Sequence, residues 1–240
     1  MQKDCNLVLY EHDDAIWESN TPEMGSNCSL VLQSNGELHI FSDVGAPVWR
    51  TETSHENGKY ALVLQPNGNV VVYGSPIWST GTHTQTSTLL SSSILLILIA
   101  SCSSTWFGYP ASPGNVLRSG EELSIGKSLS IGNYTLTMRK DCNLVLYEND
   151  DSIWESNTSE MGRICSLVLQ SNGELQILSE LAPLVWKTET GTGNGNYALV
   201  LQPNGNVVIY GSPIWSTGTH TKSKTLNAPR TNFSPKIQNP

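Results

Sequence analysis

Gln2-Lys3-Asp4-Cys5-Asn6-Leu7-Val8-Leu9-Tyr10 is the stretch on which the architecture turns. A close variant, Gln65-Pro66-Asn67-Gly68-Asn69-Val70-Val71-Val72-Tyr73, follows later, and a looser one begins Gln33-Ser34-Asn35-Gly36-Glu37 between them. A tryptophan follows each unit: Trp17, Trp49 and Trp78. The whole set is then read again. Gln2–His83 recurs as Arg139–His220 without a gap, Asp4 matching Asp141, Cys28 matching Cys165 and Trp78 matching Trp215, a constant offset of 137. Roughly three-quarters of the aligned positions are identical, the mark of a duplication. A threefold unit read twice predicts two domains, each pseudo-threefold, each presenting one polar cluster three times.

Turn chemistry gives the units their shape. Asn-Gly between alternating apolar runs is a strong hairpin signal, and it stands at Asn35-Gly36, Asn67-Gly68, Asn172-Gly173 and Asn204-Gly205. Asp4-Cys5 takes that place in the first unit. The Gln is therefore expected on the incoming strand, Asp or Asn in the turn, and Val and Tyr on the outgoing strand. Gln and Tyr are eight residues apart, about 26 Å if the segment ran straight. Folded about a turn, their tips converge, with Asn6, Val8 and Tyr10 on one face. Two amides, a carboxylate, a phenol and an apolar wall suit vicinal hydroxyls, which both donate and accept, above a C–H face. A phosphate would call for Arg or a Gly-rich cradle. Asn and Asp also occupy turns for backbone reasons alone, and Tyr favours strands. Recurrence of the polar set at Gln65, Asn67, Asn69 and Tyr73 favours the site reading.

Composition narrows the function. The chain has 240 residues, 14% of them charged, and a net charge of -8 with no basic stripe, which argues against a nucleic-acid partner. Abundant Gly, Ser, Thr and Asn indicate a β-rich, turn-rich protein, and the few large apolar residues imply thin cores built on tryptophan. Cys5/Cys28 and Cys142/Cys165 are equivalent pairs. We read them as disulfides, each worth about 3 kcal/mol for a loop of about two dozen residues, hence an oxidising compartment. Free buried thiols are the alternative. Zinc is disfavoured because no CxxC or HxxxH spacing accompanies them. No metal or cofactor is expected. Cys102 has no counterpart.

The remaining segments are irregular. Leu89–Ser103 is apolar but too short to span a bilayer, and resembles a secretory h-region with a small-residue exit. It reads as the signal sequence of an ancestral single-copy gene stranded in a linker over 85–114, or as a buried strand or helix. The leader Asn115–Thr137 alternates around Leu129, Ile131, Tyr134 and Leu136, as one or two strands would. Copy 1 has no equivalent. The domains are thus expected at 1–84, N-terminally truncated, and at 115–221, with a disordered tail or propeptide over 222–240. His12, His39, His55 and His83/His220 read as surface polarity, and Asp13-Asp14 and Asp150-Asp151 as solvated turns rather than a glycosidase pair. Asn27, Asn133, Asn157 and Asn232 open glycosylation sequons.

Gln2-x-Asp4-x-Asn6-x-Val8-x-Tyr10 matches the QxDxNxVxY signature of the bulb-type, snowdrop-agglutinin-like mannose-binding lectins of monocots. The spacing of Cys5 and Cys28, Trp17-Glu18-Ser19-Asn20-Thr21, Gly195-Asn196-Tyr197 and Ile77-Trp78-Ser79-Thr80-Gly81-Thr82 resemble garlic-type members. The resemblance covers both copies. It implies an all-β chain of two tandem β-prism II domains, each three four-stranded sheets around a Trp core, with shallow calcium-independent sites for terminal α-mannose. Asp and Asn would hold the 2-hydroxyl, Gln the 3-hydroxyl and Tyr the 4-hydroxyl, with Val against the ring. It also implies dimer-like pairing by exchange of the C-terminal strand, here Ser75–Thr82 and Ser212–Thr219, within or between chains.

The expected sites are Gln2, Asp4, Asn6, Val8 and Tyr10; Gln65, Asn67, Asn69, Val71 and Tyr73; Asp141, Asn143, Val145 and Tyr147; and Gln202, Asn204, Asn206, Val208 and Tyr210. Arg139 replaces Gln in copy 2, and Arg only donates. The third units carry Asn for Asp, losing charge assistance worth about 1 kcal/mol. The middle units, with Glu37 and Glu174 for Asn, His39 and Gln176 for Val, and Phe41 and Leu178 for Tyr, read as inactive. The resulting expectation is a non-enzymatic lectin of the secretory pathway, extracellular or vacuolar, binding mannose-containing glycans and glycoproteins in plant defence. A storage or protein-interaction protein with decayed sites is the alternative, and a hydrolase a distant third.

Overall fold

The computed structural model describes residues 1–43, 45–65, 68–82 and 114–219, and the backbone of Leu96–Ile97. Every regular element among them is a strand. Copy 1 contributes β1 (Val8–Glu11), β2 (Asp14–Glu18), β3 (Ser29–Leu32), β4 (Leu38–Phe41), β5 (Pro47–Arg50), β6 (Ala61–Leu64), β7 (Val70–Tyr73) and β8 (Pro76–Ser79), with β9 (Leu96–Ile97) beyond. In copy 2 the leader forms β10 (Val116–Arg118), β11 (Glu122–Ser124), β12 (Ser128–Ile131) and β13 (Tyr134–Met138). This is more than the one or two strands its alternation suggested. The reason lies in the turns: Gly120, Gly126 and Gly132 stand at positive φ (83°, 76° and 54°) and break the run into short pieces. There follow β14 (Leu144–Glu148), β15 (Asp151–Glu155), β16 (Cys165–Leu169), β17 (Leu175–Ser179), β18 (Trp186–Lys187), β19 (Ala198–Leu201), β20 (Val207–Tyr210) and β21 (Pro213–Ser216).

These strands build two prisms. The second has three four-stranded sheets, β12-β13-β14-β15, β11-β16-β17-β18 and β10-β19-β20-β8. The leader thus supplies at least one strand to every sheet. The first prism has β1-β2, β3-β4-β5 and β21-β7-β6-β9. The last strand of each copy has crossed: β8 pairs antiparallel with β20, and β21 with β7. The exchange occurs within one chain.

Each tryptophan core is consequently shared. Trp17 and Trp49 of copy 1 meet Trp215 of copy 2, with ring centroids 5.9–6.0 Å apart. Trp154 and Trp186 meet Trp78 at 6.1–6.4 Å. All six contacts are edge-on, the geometry that aligns the positive ring edge with the negative face. The crossing chains touch where Gly74 N–H donates to Ser212 O (3.1 Å) and Gly211 N–H to Ser75 O (3.0 Å). A Cβ at Gly74 or Gly211 would lie 3.2 or 3.3 Å from those same carbonyl oxygens, so any larger residue there would push the crossing strands apart by a few tenths of an ångström.

Period two in the exchanged sheets divides their residues between two cores. Leu62 and Val72 face the tryptophans of the first prism. Ala61, Val63, Val71 and Tyr73 face the other way and pack on Ala198, Val200, Val208 and Tyr210. The outer faces of the two exchanged sheets therefore form the seam between the copies. Both expected disulfides are formed, Cys5–Cys28 and Cys142–Cys165, which removes the free-thiol alternative. β9 lies parallel on β6. The rest of Leu89–Ser103, with Cys102 and the tail from Lys222, lies outside the described residues.

Candidate functional site

The site turns are built alike from different residues. Cys5 and Cys142 have φ of 73° and 70°, the left-handed conformation that Gly68 and Gly205 adopt at 76° and 78° in the third units. A non-glycine residue resists it, and here a disulfide clamps it. Asn6 N–H donates to Asp4 Oδ1 at 3.0 Å, and Asn143 N–H to Asp141 Oδ1 at 3.1 Å, closing an Asx turn. The fold-back brings the two ends together. Gln2 Nε2 donates to Tyr10 Oη at 2.7 Å, Gln65 to Tyr73 at 2.8 Å, and Gln202 to Tyr210 at 2.6 Å.

The asparagines behave differently from the expectation. Asn6 is only 4% exposed and Asn143 3%. Asn6 Nδ2 donates to Glu18 Oε2 (2.9 Å), while its Oδ1 accepts from the Ser19 hydroxyl and Thr21 N–H. Asn143 repeats this with Glu155, Ser156 and Thr158. Their carboxamides staple the turn to the segment after the tryptophan rather than face outward. In the third units the staple crosses between copies: Asn69 Oδ1 accepts from Thr217, and Asn206 Oδ1 from Thr80 and Gly81 N–H. Sequence reasoning missed these partners, yet they carry a signal. Trp-x-Ser/Thr-x-Thr follows every unit, as in Trp17-Glu18-Ser19-Asn20-Thr21, Trp49-Arg50-Thr51-Glu52-Thr53 and Trp78-Ser79-Thr80-Gly81-Thr82.

The four expected patches are unequal. In copy 1's first unit Tyr10 is 50% exposed, Gln2 exposed, and Val8 and Asp4 half-buried. In copy 2's first unit Val145 is covered and Tyr147 half-buried. There Arg139 forms an ion pair with Asp141 at 3.0 Å, and the Ser159 hydroxyl donates to the same oxygen at 2.8 Å. Burial alone would raise the Asp141 pKa, but Ser159, the Asn143 N–H and Arg139 outweigh it and hold the carboxyl below its usual range.

The third patches are not shallow. Tyr73 and Tyr210 are each 1% exposed, with Val71 and Val208 beside them in the seam. Burial raises both phenols, Tyr210 to about 12, against the opposing hydrogen bonds from Gln65 and Gln202. Copy 1's third patch nonetheless borders a cavity of about 480 Å³ lined by residues of both copies, among them Gln65, Asn69, Val71 and Tyr73 of copy 1 and Arg118 and Glu121 of copy 2. Asn67 lies outside the described residues. Asn204 accepts the Asn206 N–H at 3.2 Å.

The middle patches are occupied by their own side chains. Glu174 is held by Gln176 and Lys187, and Gln170 by Gln176. Glu37 accepts from Asn35 Nδ2 and lies 3.2 Å from His39 Nε2. Hydrogen bonds from Asn35 and then His39 hold its pKa low. His39 is therefore part of a half-buried pair and not plain surface polarity. Among the described residues no group of three or more His, Cys, Asp or Glu is placed to hold a metal.

No protein-family model matches the chain. A mannose-specific lectin of Crocus vernus is 36% identical over 227 residues, spanning 91% of this chain and 79% of that protein. The chain belongs to the bulb-type mannose-specific lectins of monocots. A second relative, the mannose-specific lectin of Aloe arborescens, is 48% identical over 106 residues, 44% of this chain and 97% of that lectin. One copy is therefore about the length of a whole single-domain member of the bulb-type lectins. Among solved structures, the two-domain fetuin-binding agglutinin of Scilla campanulata superposes with a TM-score of 0.75 at 35% identity, covering 91% of this chain and 87% of that one. The two prisms are thus β-prism II units of a tandem bulb-type lectin.

Proposed function

We propose that this chain is a non-enzymatic lectin that binds terminal α-mannose on glycans and glycoproteins, first of all at Gln2, Asp4, Val8 and Tyr10. The carrying observation is the 2.7 Å hydrogen bond from Gln2 to Tyr10, which gathers an amide and an exposed phenol beside the Asp4 carboxylate. Gln2 spends one amide hydrogen there. Its carbonyl, the phenolic hydrogen and the outer Asp4 oxygen then face solvent in the donor–acceptor alternation that adjacent sugar hydroxyls match. The relatives' mannose specificity supports the same ligand. Asp141, Val145 and Tyr147 form a weaker second site under Arg139. Binding to polymeric glycans then gains from engaging several weak sites at once. Two disulfides support passage through the secretory pathway, and defence against glycan-bearing organisms is the role that fits.

Retention on immobilised mannan tests this. The protein is expected to bind and to elute with methyl α-mannoside, and Asp4→Ala is expected to weaken retention. Flow-through of the unaltered protein would leave the alternative, a storage or interaction protein whose patches have decayed. The mutual hydrogen bonds of Gln170, Gln176 and Glu174 in a middle patch are what supports that alternative.

A further inference from the structure

We propose that Glu18 is a specificity-determining residue of copy 1's first patch, a carboxylate beside Val8 that admits neutral sugars and turns acidic ones away. The proposal rests on the mannose reading above and adds a group that lies outside the Gln2–Tyr10 unit. The residue after each tryptophan holds one fixed place in the fold. Glu18 is the register partner of Val8, and Glu155 of Val145. In the middle units Arg50 is the partner of His39, and Lys187 of Gln176. In the third units a serine takes the place, Ser216 opposite Val71 and Ser79 opposite Val208. Directly paired strand residues share a face, with Cβ atoms about 4.5–5.5 Å apart. The residue after the tryptophan therefore stands beside the valine of its unit, or beside the residue that replaces it.

Its charge decides what it does there. In copy 2's middle unit Lys187 lies 3.3 Å from Glu174, so a basic residue at this place closes on the unit's own carboxylate. The first unit reverses the pair: Asn6 stands where the middle units have Glu, and Glu18 where they have Lys or Arg. Glu18 Oε2 accepts from Asn6 Nδ2 at 2.9 Å. The side chain is exposed, which leaves Oε1 for a ligand lying on Val8. Asp4 Oδ1 accepts the Asn6 N–H at 3.0 Å, which leaves its other oxygen free in the same way. Asn6 is thus bracketed by two carboxylates, one on its backbone and one on its side chain. Ionised carboxylates only accept, so they suit hydroxyls, which can donate, and not another carboxylate, which cannot. Copy 2 repeats the bond, Asn143 Nδ2 donating to Glu155 at 2.8 Å, but there Arg139 lies 3.0 Å from Asp141 and offsets one of the two charges. Copy 1's patch is the more selective against anions.

The test uses the full chain carrying Asp141→Ala, which disables copy 2's first patch. It is titrated calorimetrically at pH 7 with methyl α-mannoside and with methyl α-mannosiduronate, and the binding that a further Asp4→Ala removes marks copy 1's first patch. The mannoside is expected to bind that patch more tightly than the uronate. Glu18→Gln keeps the shape and the acceptor for Asn6 and removes the charge; it is expected to narrow the gap about threefold, the size of an exposed charge–charge interaction. Glu18→Lys is expected to narrow it further. A role limited to holding Asn6 would move both sugars together, so a gap that survives both variants overturns the proposal and leaves the mannose reading standing. A uronate that binds the unaltered patch as tightly as the mannoside does the same. Binding of neither sugar overturns the mannose reading and this proposal with it.

Discussion

The two prisms contain nearly the same residues and bury them differently. Leu146, Leu167 and Val145 are sealed in the second prism, at 0–1% exposure. Their counterparts Leu9, Leu30 and Val8 are only half-buried in the first. Cys165 is sealed and Cys28 half-buried. Nothing in these residues themselves accounts for the contrast. The cover is the leader: Leu117, Leu123, Leu129, Leu136 and Met138 join the second core, and the first sheet of the first prism stops at β1-β2. Identical side chains acquire different energetic weight because burial belongs to the neighbours as much as to the residue. The first prism is completed from the other side, by Ile214 and Trp215 on the exchanged strand.

Trp215 gives the largest expected effect. Trp215→Ala removes the third ring of the first prism's core, a loss of about 3 kcal/mol. Although Trp215 belongs to copy 2, the loss is expected in copy 1: hydrogen exchange of Leu30–Leu32 and Leu38–Ile40 accelerates, while Leu167–Leu169 stays protected. Accelerated exchange confined to copy 2 would mean that the strand does not cross. The next effect compares one residue type in two settings. Leu146→Ala is expected to cost about 3 kcal/mol and Leu9→Ala roughly 1 kcal/mol, because only the first leaves a sealed cavity. Equal costs by denaturant titration would erase the difference between the prisms.

Much of this fold was legible because short-range chemistry governs it. The Asn-Gly turns, the alternating runs and the fixed Cys5/Cys28 spacing led to hairpins, repeats and disulfides. The convergence of Gln2 on Tyr10 followed from chain geometry alone. Long-range choices were less legible. Val71 reads like Val8, yet it lies in the seam, because strand exchange sets two outer faces together and no local pattern encodes that. Asn6 reads as an outward amide, yet the Ser19 and Thr21 that claim it lie more than a dozen residues on. Arg118, which lines the same cavity as Gln65, sits in a leader whose glycines divided it into four strands where alternation suggested fewer.

The smallest expected effect compares the two first-unit patches. Copy 1 has Gln2 and Pro22 where copy 2 has Arg139 and Ser159. In copy 2 burial pushes the Asp141 pKa up, and Ser159, the Asn143 N–H and Arg139 together bring it below the ordinary value. A carboxyl depressed on folding adds stability above its unfolded pKa, about 3.9, and that stability is lost as pH falls through the lower folded value. Ser159→Ala or Arg139→Gln leaves burial less opposed. Each is therefore expected to raise the Asp141 pKa, read by NMR titration of its carboxyl carbon, and to move the acid unfolding of the second prism to higher pH. Arg139→Gln also restores copy 1's residue. It is expected to leave the Asp141 oxygen with Ser159 as its one remaining partner of the two, and so to strengthen methyl α-mannoside binding at copy 2 even as the pKa rises. An Arg139→Gln titration that does not move would show that Ser159 and the backbone hold the carboxylate unaided, and that the charge contrast between the two patches carries no weight.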